Sequence, residues 1–132
     1  MRAQIHQAME ELKRTANITI THDWTQAENG IRSAEDSRHW SILDVDGVKA
    51  ADAVVALLYE PLYHYRGTWT EVGVALGLGK PVLLYCPWLS AYPDDHPDRA
   101  KTPAGNVFFY HPGVATVTTW EAVQTWLKLA HQ

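Results

Sequence analysis

The amino-acid sequence predicts an α/β protein: a flavodoxin/Rossmann-like open parallel sheet with helices on both faces. Three observations predict it. Helical and extended patterns alternate along the chain with short turns between them. One segment, Ala53-Val54-Val55-Ala56-Leu57-Leu58-Tyr59, is apolar at successive positions, as a central parallel strand covered on both faces should be. The segment Arg66-Gly67-Thr68-Trp69-Thr70-Glu71-Val72-Gly73 follows that strand and opens a helix, where ligands of such sheets bind. At 132 residues, with no internal repeat, the chain reads as one domain over 1–132.

Each element has its own signal. Ile5, Met9 and Leu12 at helical spacing predict a helix over 2–14, closed by Asn17. Ile18-Thr19-Ile20-Thr21 alternates as a strand does. The polar stretch from His22 to about Ser41 has a turn signal at Asn29-Gly30 and room for a helical turn in SAEDSRHW. Asp44 to Ala51 reads as a short helix leading into the apolar strand. After the loop EPLYHYRGT, a helix over Trp69 to Leu78 is expected, with Thr68 as N-cap and Glu71 completing a capping-box spacing. Gly79 stops it, Lys80-Pro81 turns the chain, and Val82 to Tyr85 is the next strand. Residues 87–105 read as a surface loop, Val107 to Tyr110 as a strand, and Val114 to Val117 as a last short strand. Thr119 caps a closing helix with Trp120, Val123, Trp126 and Leu127 on one face.

Composition bounds the function. A net charge of −4 with scattered basic residues argues against a nucleic-acid polymer as partner, because phosphate contacts dominate such binding. No apolar run is long enough for a membrane span, and the N-terminal helix pattern lacks the apolar core of a signal peptide. The single cysteine, Cys86, sits in an apolar run and reads as a buried, inert thiol; a chain without a disulfide framework suits the cytoplasm. His22, His39, His64, His96 and His111 fall in separate loops without metal-ligand spacing, so neither a metal nor a cofactor is expected. The six tryptophans and six tyrosines are enough to supply both core packing and a face for a flat ligand ring.

The residues that can carry chemistry gather around the start of the helix after the apolar strand. Gly67 lets a backbone approach a ligand closely, and the free N–H groups of a first helical turn favour an anionic group such as phosphate. Glu71, one turn in, has two readings: a helix cap, or a carboxylate directed at the strand ends.

The stretch from Asp46 to Val82 resembles the nucleoside 2-deoxyribosyltransferase family. That family's pattern has an Asp before a buried strand, then Gly-x-x-x-Glu-x-Gly-x-Ala, then Gly-Lys-Pro-Val. Asp52, Gly67, Glu71, Gly73, Ala75, Gly79, Lys80 and Pro81 match it, and Thr21-His22-Asp23-Trp24 resembles the family's second strand and its loop. Lysine-decarboxylase-like phosphoribohydrolases share a similar Gly-Thr-x-x-Glu element, and both groups cleave N-glycosidic bonds. The resemblance implies that Glu71 is the nucleophile at the anomeric carbon, forming a glycosyl ester. It implies that Asp52 holds or protonates the departing base, with capping of the neighbouring helix or strand as its alternative role. Asp23 and Trp24 are candidates to pair with and stack on the base. Tyr65, Arg66 and Thr68, flanking Gly67, are candidates for sugar or 5′-phosphate contact, Arg66 as the positive partner of a monophosphate.

Two features depart from the family pattern. Its transferases carry an Asp six residues before the Glu, where this chain has Tyr65, which tilts the expectation from transfer toward hydrolysis of a nucleotide. The sequence also starts directly in the first helix, without the family's opening strand. Family members are commonly oligomers whose neighbours complete the site, so a homo-oligomer is expected. The expected ligand is a nucleoside or nucleoside 5′-monophosphate. A non-catalytic nucleotide- or ADP-ribose-sensing domain and an NAD glycohydrolase are the alternatives.

Overall fold

In the computed structural model, which describes residues 1–15 and 33–130, three parallel strands form a sheet in the order β1-β2-β3. The strands are β1 (Val54–Leu57), β2 (Val82–Tyr85) and β3 (Val114–Val117). Val54 lies opposite Val82, which lies opposite Val114, and the register continues to Leu57, Tyr85 and Val117. Among the described residues four α-helices accompany them: α1 (Arg2–Thr15), α2 (Ala34–Ala50), α3 (Arg66–Gly77) and α4 (Trp120–Ala130).

The sheet is covered on both faces because alternate strand residues point to opposite sides. Leu57, Leu83 and Tyr85 pack with Ile5, Ala8 and Leu12 of α1 and with Val123 and Leu127 of α4. Ala56, Leu58, Val82, Leu84 and Cys86 pack on the other face with Val48 of α2 and Val72 and Ala75 of α3. Cys86 is fully buried, and burial pushes its thiol up to about 12, so it is inert. No helix among the described residues is long and apolar enough to cross a membrane.

Several expectations need correcting. The two helical pieces around Ser41 and Asp44 are one continuous helix, α2, whose N-cap Ser33 accepts from the Asp36 N–H at 3.1 Å. The apolar strand pairs over only Val54–Leu57. Helix α3 starts at Arg66, with Tyr65 as an N-cap that makes no side-chain capping bond, so Thr68 lies inside the first turn. Residues 107–110 form a 3₁₀ turn, because the Asn106 side chain accepts from the Phe108 N–H at 2.9 Å and turns the backbone. Only Phe109 of that run enters the core. The segment expected as a surface loop, 87–105, is a series of short turns that puts Trp88 and Ala104 into the core. Within it, a Cβ on Gly105 would stand 2.1 Å from the Ala100 carbonyl oxygen, so only glycine fits. The expected strand at 18–21 lies outside the described residues.

The Gly79-Lys80-Pro81 turn leads from α3 into β2, and its lysine ties α3 to α2. Gly79 has φ 71°, and the Gly79 and Lys80 N–H groups donate to Leu76 and Ala75 carbonyls at 3.1 and 2.9 Å, a Schellman stop for α3. Lys80 Nζ donates to the Val48 carbonyl at 2.9 Å and to the Lys49 carbonyl, placing a cation on the carbonyl end of α2. Lys80→Ala is therefore expected to cost about 1–2 kcal/mol, read as a lower urea midpoint at unchanged slope. An unchanged midpoint would show that solvent replaces the bond without loss.

Candidate functional site

Helices α2 and α3 enclose a cleft of about 200 Å³ lined by Ser41, Asp44, Val45 and Val48 on one side and Gly67, Thr70, Glu71 and Val74 on the other. The spacing on each helix is that of a single face, i, i+3, i+4 and i+7. Because Arg66 is the first residue of α3, Glu71 lies beyond the first turn. Its carboxylate is therefore not needed as a cap, which removes the structural role suggested by the Thr68/Glu71 spacing.

Glu71 is partly buried. Burial, with the nearby Asp44 charge as a second cause, raises its carboxyl from the usual carboxylate range to about 7. Among the described residues, no hydrogen bond or ion pair holds the Glu71 carboxylate. It stands beside apolar Val45, Val48 and Val74, with like charge across the cleft. A carboxylate kept in such surroundings is costly to the fold and available for chemistry.

The other expected residues are distributed unevenly. Gly67 lines the cleft, and a Cβ built there meets nothing within 4 Å, so the cleft is open above it. Arg66 is exposed on the first turn of α3, and Thr68 is half-buried there. Tyr65 is buried, and its hydroxyl accepts from the Glu60 N–H at 2.9 Å and donates to the Glu60 carbonyl at 3.1 Å. Burial pushes that phenol up to about 12. Tyr65 thus closes the 60–65 loop on itself and does not line the cleft. Asp52 is exposed in the turn from α2 to β1, at the end of that strand opposite the loop into α3. It is not part of the lining; the second carboxylate beside Glu71 is Asp44. Asp23 and Trp24 lie outside the described residues.

Asp44 escaped the sequence reading because α2 was divided at that point. Read as one helix, Ser41, Asp44, Val45 and Val48 fall on a single stripe, and the carboxylate on it becomes visible.

The cleft thus joins a strand-to-helix turn carrying Gly67 to a partly buried Glu71, on a helix that ends in the Gly79-Lys80-Pro81 stop. The nucleoside 2-deoxyribosyltransferase family model matches residues 1–115. The chain belongs to the nucleoside 2-deoxyribosyltransferase family. Comparison with curated proteins and with solved structures returned no match. Membership supports an enzyme of the glycosyl-transferring kind. Within this family assignment, the matching Gly79, Lys80 and Pro81 have a structural use here, tying the end of α3 to the end of α2. Gly67 and Glu71 are the matching residues that meet in the cleft.

Proposed function

We propose that this protein breaks the N-glycosidic bond of a nucleoside or nucleoside 5′-monophosphate, with Glu71 as the nucleophile. The observation that carries the reading is the Glu71 carboxylate: partly buried, unpaired among the described residues, and raised to about 7 at the wall of an open cleft. A carboxylate oxygen attacks the anomeric carbon, and the C–N bond breaks with its electron pair going to the base. The base takes a proton from solvent, with Asp44 as the relay. Water then hydrolyses the glycosyl ester, or a second base accepts the sugar, and the Glu71 carboxylate is restored.

Water is the acceptor we favour. Where transferases of the family have a carboxylate, this chain has Tyr65, whose hydroxyl is occupied by the Glu60 backbone. A 5′-phosphate would use the N–H groups at the start of α3 and the exposed Arg66 guanidinium. Asp52 acts outside the cleft in this reading, and Asp23 and Trp24 remain candidates for holding the base.

The test is a panel of ribo- and deoxyribonucleosides, their 5′-monophosphates and NAD, each with and without an added free base, followed by chromatography. Base release without exchange is the expected result for the monophosphates. Tight binding of a nucleotide or ADP-ribose with no turnover would replace this reading with the sensing one, and nicotinamide release with the NAD glycohydrolase one.

Two further outcomes are expected. Because attack needs the ionised carboxylate, kcat/KM for base release should rise with pH through about 7 and then level off. A rate that falls across that range would assign Glu71 as an acid instead. Gly67→Val should leave the unfolding free energy, from urea titration, within about 1 kcal/mol of wild type, since the added Cβ meets no atom within 4 Å. The same variant should raise KM at least about tenfold if substrate passes over Gly67, and an unchanged KM would move the substrate elsewhere.

A further inference from the structure

A second cavity, of about 190 Å³, opens on the opposite face of the sheet, between α1 and α4. Its wall is aromatic at the carboxyl ends of the strands. Tyr85 is the last residue of β2, Tyr59 lies just beyond β1, and Trp120 opens α4 after β3. The rings meet edge to face: Tyr59 and Tyr85 with centroids 5.5 Å apart at 87°, Tyr85 and Trp120 at 5.6 Å and 61°. The opposite wall comes from α1. Ile5, Ala8 and Leu12 face the sheet, and the row beside them, Gln4, Gln7 and Glu11, faces the cavity.

The chemistry of this lining is selective. Among the described residues that line it there is one carboxylate, Glu11, and no lysine, arginine or histidine. An anion, including a nucleotide phosphate, would meet like charge there without a counter-ion. Aromatic faces set at steep angles, with a carboxylate beside them, attract an organic cation. Burial, then the neighbouring Tyr85 and Glu11, raise the Tyr59 phenol, so the tyrosine stays neutral and Glu11 stands near its ring. The Trp120 Nε1–H is buried and has no hydrogen-bond acceptor among the described residues. A ligand with an acceptor oxygen near its charged group would satisfy such a donor where it reaches the edge of the indole. The volume lies below the range of about 300 Å³ and upward typical of drug-sized ligands, so the cavity suits a head group.

The geometry points to a binding site for a small alkylammonium ion carrying a neutral oxygen acceptor, held by the Tyr59, Tyr85 and Trp120 rings and the Glu11 carboxylate. This site is separate from the Glu71 cleft and lies across the sheet from it.

The test is calorimetric titration of the full chain with choline, with tetramethylammonium, and with 3,3-dimethylbutan-1-ol, the uncharged isostere of choline. Choline is expected to bind in the millimolar range or tighter, and the isostere at least about tenfold more weakly, because it lacks the charge the rings attract. Glu11→Gln should weaken choline about tenfold; Glu11 is partly exposed and makes no core contact, so the substitution leaves folding intact. Trp120→Phe keeps a ring but removes the N–H, and should bring choline down to the affinity of tetramethylammonium. In the ¹⁵N–¹H spectrum, the indole signal lost in Trp120→Phe should be the one that shifts on adding choline, and the remaining signals report that each variant is folded. No choline binding at millimolar concentration, equal binding of the isostere, or an unchanged affinity in Glu11→Gln would each overturn the proposal.

Discussion

Replacing Glu71 with glutamine is expected to reduce base release at least about a thousandfold and, at the same time, to stabilise the fold at pH 8. The first effect follows if the carboxylate is the nucleophile, since an amide cannot form the glycosyl ester. The second follows from the elevated carboxyl. The folded state holds its proton up to about pH 7, whereas an unfolded chain releases it near 4.5. Between those values the folded state binds more protons, so stability falls as pH rises through the window and stays low above it. Glutamine has no charge to desolvate and removes that penalty. The gain at pH 8 should be on the order of 2 kcal/mol, allowing for the partial exposure of the group, and should vanish below about pH 4.5. Urea midpoints of both proteins at pH 4 and pH 8 measure it. Equal pH dependence in the two proteins would show that Glu71 is well solvated, and would remove the main physical support for the catalytic reading. The trade is the usual one for a site whose reactive group is held against its own preference.

The largest loss of stability is expected at Trp88. Its ring is 8% exposed, and its Nε1–H donates to the Leu58 carbonyl at 2.6 Å. Leu58 follows β1 and its N–H donates to the Tyr85 carbonyl at 2.9 Å, while Cys86, two residues before Trp88, donates its N–H to Val117 at 2.9 Å. The indole thus extends the joining of the strands past the end of the ladder. Truncation to alanine empties a ring-sized space and should cost about 3–5 kcal/mol, a large part of the stability of an ordinary domain. Trp88→Phe fills most of the space but leaves the Leu58 carbonyl without its donor, at about 1–3 kcal/mol. Denaturant titration ranks the two. If alanine proves as benign as phenylalanine, the segment beyond Cys86 folds independently of the sheet.

The sequence made the sheet legible because its strands are short apolar runs between clear stops. Val82 to Tyr85 and Val114 to Val117 pair as read, and Gly79 ends α3 where its positive φ is required. Helices α1 and α4 were equally visible, since each buries one stripe. Helix α2 was harder. Only Gly47 and Val48 of its residues are buried, and Ile42 is 53% exposed, so it lacks the apolar stripe that gives a helix its period. The 107–110 run failed for another reason: four apolar residues carry no period, and the side chain of Asn106 decides the backbone. The site followed the same division. Gly67 and Glu71 lie on a helix with a readable start, whereas Asp44 lies on the one helix whose continuity was hidden. Asp52, chosen by its place in a family pattern, lies at the end of β1 opposite the turn that carries Gly67, and is not in the cleft lining.

The lysine that follows the α3 stop has a mechanical consequence. Lys80 sits directly after α3 and grips the last carbonyls of α2, so the two helices are riveted at one end. The cleft runs away from that rivet, from Val48 and Val74 to Ser41 and Gly67 at the far mouth. Seven residues of helix separate Val48 from Ser41, about 10 Å along the axis. By geometry alone, a small change of angle at the joint would hardly alter the spacing beside Val48, but would be magnified at the mouth lined by Gly67 and Ser41.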